Sequence, residues 1–228
     1  MDTIEAIILG IVQGLTEFLP VSSSGHLQIA KALMGVEIEQ NLLFDVTLHA
    51  ATVLSTIVVL WSEVARLLRG LFSRRFNEEQ AYVLKLLLSM IPIGIVGFTL
   101  KDRLDALLES PAILLVVGCM LLVTAALLAF AYYAKPRQKA QLSYRDAFLI
   151  GVAQAVAALP GLSRSGSTIA TGLLLGNRKQ TVAQFSFLMV LAPILGETFL
   201  ELMKGNLGAQ AIGSAPLAAG FVAAFVVG

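Results

Sequence analysis

Two polar, glycine-containing breaks lie at matching places in two hydrophobic halves of this chain. The first, residues 19–27, reads LPVSSSGHL, and the second, residues 159–168, reads LPGLSRSGST. A constant offset of 141 residues superimposes them without a gap. Such paired breaks predict a binding site where two internal repeats meet. The coincident residues are Gly10 and Gly151, Gln13 and Gln154, Ser22 and Ser163, Ser24 and Ser165, Gly25 and Gly166, and Gly35 and Gly176.

The composition indicates what surrounds these breaks. The 228 residues are 57% hydrophobic and only 14% charged, with a mean hydropathy of +0.83. A chain of this length and apolarity is typical of a multi-span membrane protein rather than a soluble domain. A net charge of +1 argues against a nucleic-acid partner. The single cysteine, Cys119, excludes an intramolecular disulfide and a cysteine metal site.

Segment lengths predict how the chain meets the membrane. Residues 4–18 are helical in pattern but shorter than the roughly 20 residues needed to cross a bilayer. Pro20 and the serines break this helix before a second one, predicted at 27–34. We therefore expect re-entrant helix pairs at 4–34 and, in the second copy, at 146–176. The predicted spans are 42–60, 81–100, 112–134, 182–203 and 207–228; the last has no polar tail, which predicts that a C-terminal segment is missing.

Basic loops predict the orientation. Three loops rich in Lys and Arg are expected in the cytoplasm by the positive-inside rule. Three spans then separate the two breaks, so their topologies are inverted and their tips meet near the midplane. The prediction is an all-α membrane protein: one polytopic helical bundle, residues 1–228, of two inverted-topology repeats at about 1–110 and 111–228. The basic residues are Arg66, Arg69, Arg74 and Arg75, then Lys135, Arg137, Lys139 and Arg145, then Arg178 and Lys179.

The side chains at the two tips suit an anion. Gln13 and Glu17 are spaced i and i+4, so they share one helix face. A carboxylate at membrane depth is a functional candidate by default. In the second break, Arg164 precedes a helix start, where a guanidinium, hydroxyls and free N–H groups together suit a phosphate or diphosphate. The accompanying polar residues are Ser22, Ser23, Ser24, Gly25 and His26 in the first break, and Ser163, Ser165, Gly166, Ser167 and Thr168 in the second.

Each candidate has a structural alternative. Ser22 and Ser163 precede helices, where serine is commonly an N-cap. Arg164 needs a partner if buried, and an internal ion pair with Glu17 would provide one. Asp45 and His49 share a helix face and are at most supporting candidates.

The runs GIVQGLTEFLPVSSSGHL and LPGLSRSGST resemble the two signature motifs of the bacterial undecaprenyl-diphosphate phosphatase family of the bacitracin-resistance type. The resemblance implies a multi-pass enzyme of the bacterial cytoplasmic membrane that hydrolyses undecaprenyl diphosphate to undecaprenyl phosphate and inorganic phosphate. This reaction recycles the lipid carrier of cell-wall synthesis. The resemblance also implies a divalent metal, Mg²⁺ or Ca²⁺, and a site open to the extracytoplasmic side. Family members usually continue with one more hydrophobic segment.

The resemblance also assigns roles. Its metal-binding motif, Glu or Gln followed four residues later by Glu, falls on Gln13 and Glu17. Because glutamine lacks the second charge, the metal is predicted to bind chiefly with the substrate. We take Ser23 as candidate nucleophile and His26 as acid or base, with direct attack by water or a covalent step on His26 left open. The implied catalytic residues are Glu17, Ser23, His26 and Arg164, and the implied substrate-binding residues are Gln13, Ser22, Ser163, Arg164, Ser165 and Thr168.

Two other function classes fit the same sequence. Inverted repeats with an anion site at the midplane are also typical of a secondary transporter, or of a flippase for a phosphate-bearing lipid carrier. An intramembrane serine hydrolase is a weaker alternative, because Arg164 suits phosphate better than an acyl group. The expected partners are a polyprenyl diphosphate substrate and membrane lipids, and a homodimer is possible.

Overall fold

The computed structural model describes residues 1–36, 42–108, 110–133, 138–203 and 213–228. Within these ranges the chain forms eleven α-helices, as the all-α prediction requires. In chain order they are α1 (Thr3–Phe18), α2 (Ser23–Met34), α3 (Leu42–Val59), α4 (Trp61–Leu71), α5 (Glu78–Thr99), α6 (Lys101–Leu108), α7 (Ile113–Tyr133), α8 (Tyr144–Val156), α9 (Arg164–Leu174), α10 (Lys179–Met203) and α11 (Ser214–Val227).

The first polar break separates α1 from α2. Asp2 begins α1 with a capping box, and the Ser22 hydroxyl begins α2 by accepting a hydrogen bond from the Gly25 N–H. The second helix of the pair therefore starts at Ser23, four residues before the predicted start at 27. The predicted helix is too short because the hydrophilic Ser23 and Ser24 resemble part of the break, although they belong to the helix that Ser22 caps. The φ of Ser22 is +73°, a left-handed conformation that strains any residue other than glycine.

The second break separates α8 from α9 and repeats the same local chemistry. Ser143 begins α8 with a capping box, and the Ser163 hydroxyl begins α9 by accepting a hydrogen bond from the Gly166 N–H. Gly35 and Gly176, which follow α2 and α9, both have positive φ, at +69° and +88°. Glycine adopts this conformation at no steric cost and so ends each helix pair at the corresponding position.

The two breaks pack directly against each other through glycines. A Cβ on Gly25 would lie 3.2 Å from the Cα of Gly161, and one on Gly166 would lie 3.0 Å from the carbonyl oxygen of Pro20. The offset of 141 residues that aligns the two halves exchanges these contacts, because it places Pro20 on Gly161 and Gly25 on Gly166. The backbone of each tip therefore reaches the first turn of the other pair's second helix.

A second set of close contacts fixes the first helix of each pair. A Cβ on Gly10 would lie 2.4 Å from the Gly220 carbonyl oxygen, so α1 packs tightly on α11. A Cβ on Gly151 would lie 2.3 Å from the Ser89 carbonyl oxygen, so α8 packs tightly on α5. The first helix of each pair, α1 or α8, thus packs against a helix from the other half of the chain.

The core consists of two apolar clusters beside these packed pairs. One gathers side chains from α1, α2, α3 and α11, and the other joins α4, α5, α8 and α10 with Leu142. A polar link in the first half is an ion pair between a buried lysine and a partly exposed aspartate: Lys31 Nζ lies 2.6 and 2.7 Å from the carboxylate oxygens of Asp45, whose side chain is 23% exposed. This pair connects α2 to α3 and so positions the part of α3 that faces α1.

Three helices, Glu78–Thr99, Ile113–Tyr133 and Lys179–Leu200 within α10, are long and apolar enough to cross a membrane. The predicted span at 42–60 meets that criterion only as α3 together with α4, which is bent from it by 79°. The described part of the last predicted span is the 14-residue α11, and positions 207–212 lie outside the described residues. The described residues thus contain three candidate spans, or four with the bent pair.

Two of the observed helices, α4 and α6, are not predicted from the sequence. Each lies between predicted spans and contains several charged residues. In α4, however, the buried Leu67 joins the apolar cluster that contains Leu86, while the charged residues stay on other faces. In an amphipathic helix of this kind the overall composition resembles that of a loop. The spacing of its apolar residues, however, is that of a helix packed on one face.

Candidate active site

Glu17, near the end of α1, is the centre of the polar cluster at the two breaks. Its Oε1 accepts a hydrogen bond from Arg164 Nη2 at 3.0 Å. Its Oε2 accepts one from Gln13 Nε2 at 3.0 Å and another from the Ser23 hydroxyl. The carboxylate therefore joins donors from α1, from α2 and from the second half of the chain.

Arg164 is the first residue of α9 and brings the second break to Glu17. Its side chain remains 29% exposed, against 12% for Glu17. The proposed structural alternative, an ion pair between them, is present. A guanidinium carries several N–H donors in one plane, and among the described residues Glu17 is the only acceptor of an Arg164 side-chain hydrogen bond. The remaining donors are free to bind an anion alongside the ion pair.

Ser23 and His26, both half-buried, share the first turn of α2. The Ser23 hydroxyl donates to Glu17 rather than to His26. His26 Nδ1 lies 2.8 Å from the carbonyl oxygen of Ser22. Because a carbonyl can only accept, the proton is assigned to Nδ1, which leaves Nε2 without that partner. The arrangement makes Glu17 the proton acceptor closest to Ser23, and keeps the second nitrogen of His26 available for another group.

Ser22 and Ser163 are helix N-caps, as the structural alternative predicts. Both are buried, and both hydroxyls accept from the backbone of a glycine three residues later. Their hydroxyls also lie 3.4 and 3.3 Å from those of Ser24 and Ser165, respectively. Ser24 and Ser165 are half-buried. The capping serines therefore support the tips, while these two neighbours are more accessible.

Thr168 was predicted to bind substrate, and the structure places it inside the protein. Its hydroxyl lies 2.8 Å from the Arg164 carbonyl oxygen and also pairs with the Ser186 hydroxyl of α10. The side chain is fully buried. In this arrangement Thr168 stabilises the first turn of α9, and hence the backbone that carries Arg164.

Several polar contacts of the cluster come from helices that the motifs do not include. On α3, Thr52 Oγ1 lies 3.4 Å from Gln13 Nε2, and His49 Nε2 lies 3.8 Å from Glu17 Oε2. On α7, Thr124 Oγ1 accepts a hydrogen bond from the Ser163 N–H at 3.0 Å. His49 is one of the two supporting candidates from the sequence, and its spacing to Thr52 puts both side chains on the same face of α3.

The oxygen atoms of the cluster can be compared with the ligands that a hard cation requires. Gln13 is fully buried, and its Oε1 has no hydrogen-bond partner among the described residues. An unpaired buried amide oxygen is costly, and metal coordination is one way to satisfy it. Among the described residues, however, no group of three or more His, Cys, Asp or Glu side chains could hold a metal ion. Glu17 and Gln13 therefore fit Mg²⁺ or Ca²⁺ only as part of an oxygen set completed by water and substrate phosphate.

Comparison with known proteins gives one consistent family. The family model described as "Bacitracin resistance protein BacA" matches residues 6–228. A protein of Parabacteroides distasonis named undecaprenyl-diphosphatase is 62% identical over 231 residues, covering 100% of this chain and 86% of the relative. Proteins with the same name from Bacteroides fragilis and Methanosphaera stadtmanae are 60% and 35% identical, again over 100% of this chain and 86% of each relative.

Proposed function

Because this chain belongs to the bacitracin resistance protein BacA family, we propose that it is an undecaprenyl-diphosphatase, a membrane enzyme that releases inorganic phosphate from undecaprenyl diphosphate. The observation that carries the proposal is the contact of Arg164 with Glu17 at 3.0 Å, with Ser23 bonded to the same carboxylate. An anion-binding guanidinium, a carboxylate and a hydroxyl thereby meet at one half-buried place. This combination suits phosphoryl transfer, in which positioning and charge neutralisation dominate catalysis.

The terminal phosphate binds where α9 begins. The donors of Arg164 that Glu17 does not use approach its oxygens, and the first turn of α9 adds the positive end of a helix dipole. Ser165 offers a hydroxyl at the same turn. These groups neutralise the charge that builds up on the transferring phosphoryl group.

The chemical step uses Ser23. Its Oγ attacks the terminal phosphorus as its proton passes to Oε2 of Glu17. The bond between that phosphorus and the bridging oxygen breaks, and undecaprenyl phosphate leaves with the bridging oxygen. Water then attacks the phosphoseryl phosphorus while Nε2 of His26 accepts the water proton. The bond between Oγ and phosphorus breaks as the proton held by Glu17 returns to Oγ, which releases inorganic phosphate and restores Ser23 and Glu17, and His26 then loses its proton to solvent.

Glu17 and the orphan Oε1 of Gln13 are the groups that would hold a divalent cation. When bound there, Mg²⁺ or Ca²⁺ would supply further charge neutralisation on the diphosphate. The cation would also need substrate oxygens as ligands, because the cluster contains few carboxylates.

The architecture suited to this reaction is a pair of inverted-topology repeats in the cytoplasmic membrane of a bacterium, with the site open to the extracytoplasmic side. Two observations support it. The glycine contacts at the two tips are exchanged by the offset that aligns the halves. The basic residues that follow α3, α7 and α9 favour the cytoplasm, and this orientation supports an opening between the tips toward the opposite side.

Phosphate release tests the function. Detergent-solubilised protein given a polyprenyl diphosphate is expected to release inorganic phosphate, and a chelator is expected to lower the rate at least about 10-fold because the cation neutralises the diphosphate. Added Mg²⁺ or Ca²⁺ should restore it. Vesicles containing the protein serve as the second arm. Unchanged substrate on the far side of the vesicle, with no phosphate released, would instead identify a transporter or flippase, and cleavage of a peptide substrate would identify a serine hydrolase.

The nucleophile has its own test. Ser23→Ala is expected to lower the rate of phosphate release by about 1,000-fold, because it removes the attacking oxygen, and His26→Ala by about 100-fold, because general acid–base catalysis contributes less. Rapid quenching should trap a phosphoserine in wild type and not in Ser23→Ala. If Ser23→Ala kept most of the rate while His26→Ala abolished it, the serine mechanism would be wrong, and attack by water or by His26 would replace it.

A further inference from the structure

A second chemically distinctive surface lies away from the tips, on α4 and the residues that follow it. Five large apolar side chains are exposed there, and we call them, with the arginines between them, the α4 surface. Phe72 and Phe76 are 83% and 70% exposed. The apolar members are Trp61, Leu68, Leu71, Phe72 and Phe76, and the basic members are Arg69, Arg74 and Arg75.

The three arginines of the α4 surface carry uncompensated charge. Arg66, on the same helix, pairs with Glu63 at 2.8 Å and with Glu79 at 3.1 Å. Arg69, Arg74 and Arg75 are exposed, and none has a carboxylate partner among the described residues. This distinguishes the α4 surface from an ordinary solvated helix face, where opposite charges are interspersed.

One face of α4 packs against the rest of the protein. Leu67 is buried in the cluster that contains Leu86 of α5, and Gly70 lies so close to Glu79 that a Cβ would be 2.4 Å from the Glu79 Cβ. The helix is therefore anchored to α5, and its exposed apolar side chains point elsewhere. Their exposure results from how α4 packs rather than from a loosely attached helix.

The bend between α3 and α4 determines how this surface meets the membrane. The two helices form an angle of 79° at Leu60. Although α3 and α4 meet the length and apolarity criterion for a span only together, the bend gives them different directions: with α3 running across the bilayer, α4 lies nearly parallel to the membrane plane. Positively charged loops place it at the cytoplasmic face. A short helix in that plane, with aromatic and aliphatic side chains beside arginines, has the features of an interfacial amphipathic helix.

We propose that the α4 surface is a binding site for anionic glycerophospholipids of the cytoplasmic leaflet. Arg69, Arg74 and Arg75 bind the headgroup phosphates, for which the guanidinium has the matching planar donor geometry. Phe72 and Phe76 insert among the upper acyl carbons. Charge complementarity selects this occupant over a zwitterionic lipid, because three arginines without acidic partners favour a net negative headgroup.

Native mass spectrometry of the detergent-solubilised protein tests the proposal directly. The protein is titrated with phosphatidylglycerol and with phosphatidylcholine, and bound lipid is counted. Wild type is expected to retain phosphatidylglycerol preferentially. The triple variant Arg69→Ala/Arg74→Ala/Arg75→Ala is expected to lose about 100-fold in affinity for it, on the basis of roughly 5-fold per arginine near a membrane surface.

A matched triple variant controls for charge alone. Arg145→Ala/Arg178→Ala/Lys179→Ala removes the same number of positive charges from other loops predicted on the same side, and should keep the wild-type affinity. Phe72→Ala/Phe76→Ala should weaken phosphatidylglycerol binding while leaving its preference over phosphatidylcholine. Phosphate release by all three variants in neutral detergent should match wild type, so failure of this inference is distinguishable from failure of the proposed enzyme function.

Three results would overturn the inference. Equal retention of the two lipids by wild type would remove the charge selectivity. An equal loss in the control triple variant would show a general charge effect rather than a site. Binding of a polyprenyl phosphate but not of phosphatidylglycerol would identify the surface as a product site instead.

Discussion

Glu17→Gln is expected to lower the rate of phosphate release by about 1,000-fold, with an intact fold. The substitution preserves the size of the side chain but removes the charge that compensates Arg164 at 3.0 Å. It also removes the proton acceptor of the Ser23 hydroxyl. Loss of one preorganised electrostatic contact commonly costs about 100- to 1,000-fold, and here the same change also removes the base. The measurement is kcat for phosphate release from a polyprenyl diphosphate.

The control for Glu17→Gln is the same substitution elsewhere on the same helix. Glu5 lies in the first turn of α1, where it completes the capping box with Asp2. Glutamine also serves at that capping position, so Glu5→Gln should keep the wild-type rate. Thermal unfolding of both variants in detergent separates an effect on chemistry from one on folding. A Glu17→Gln variant that folds and retains a third or more of the rate would rule out Glu17 as the base.

The local parts of this fold could be predicted because their causes are local. Serine before a helix, glycine after one, and apolar segments of different lengths locate both broken helix pairs from sequence alone. The start of α2 was misplaced because Ser23 and Ser24 are hydrophilic, although Ser22 supplies the cap that allows them to be helical. The hydrophilic composition of Ser23 and Ser24 suggests a loop, whereas the cap at Ser22 makes these two residues the start of the helix.

The partners of the two motifs could not be predicted in the same way, because they depend on how separate helices pack. Thr124 lies in α7, a helix of 21 almost uniformly apolar residues whose sequence does not indicate which face turns inward. Its hydroxyl nevertheless accepts the Ser163 N–H. Thr52 and Ser186 likewise reach the cluster only because α3 and α10 pack where they do. Their roles appear once tertiary structure is known.

The pairing of Glu17 with Arg164 was foreseen, but as an alternative to function. The structure shows why the two interpretations do not exclude each other. The ion pair uses one nitrogen of the guanidinium, and the side chain keeps 29% of its surface exposed. A partly buried charge that needs an ion-pair partner can therefore also present donors to a ligand. Sequence alone could not show this, because it depends on the direction from which Arg164 approaches.

Arg164→Ala is expected to lower kcat/KM for the polyprenyl diphosphate by about 1,000-fold or more, because it removes both an anion contact and the stabilisation of transition-state charge. Arg164→Lys should recover only part of this loss, since an ammonium lacks the planar, bidentate donors of a guanidinium. Arg178→Ala is the matched control, because Arg178 lies just beyond the other end of α9 and its side chain donates only to the Gln138 carbonyl oxygen among the described residues. This control should keep the wild-type value.

The double variant Glu17→Gln/Arg164→Met separates the structural role of Arg164 from its ligand role. Removing one member of a partly buried ion pair strands the other, whereas removing both does not. The double variant should therefore regain most of the thermal stability that either single change loses. Binding of a non-hydrolysable diphosphate, measured by calorimetry, should stay at least about 10-fold weaker in the double variant than in Glu17→Gln, because the guanidinium itself contacts the anion. If the two bound it equally, Arg164 would serve only to neutralise Glu17, and the anion site would have to lie elsewhere on the tips.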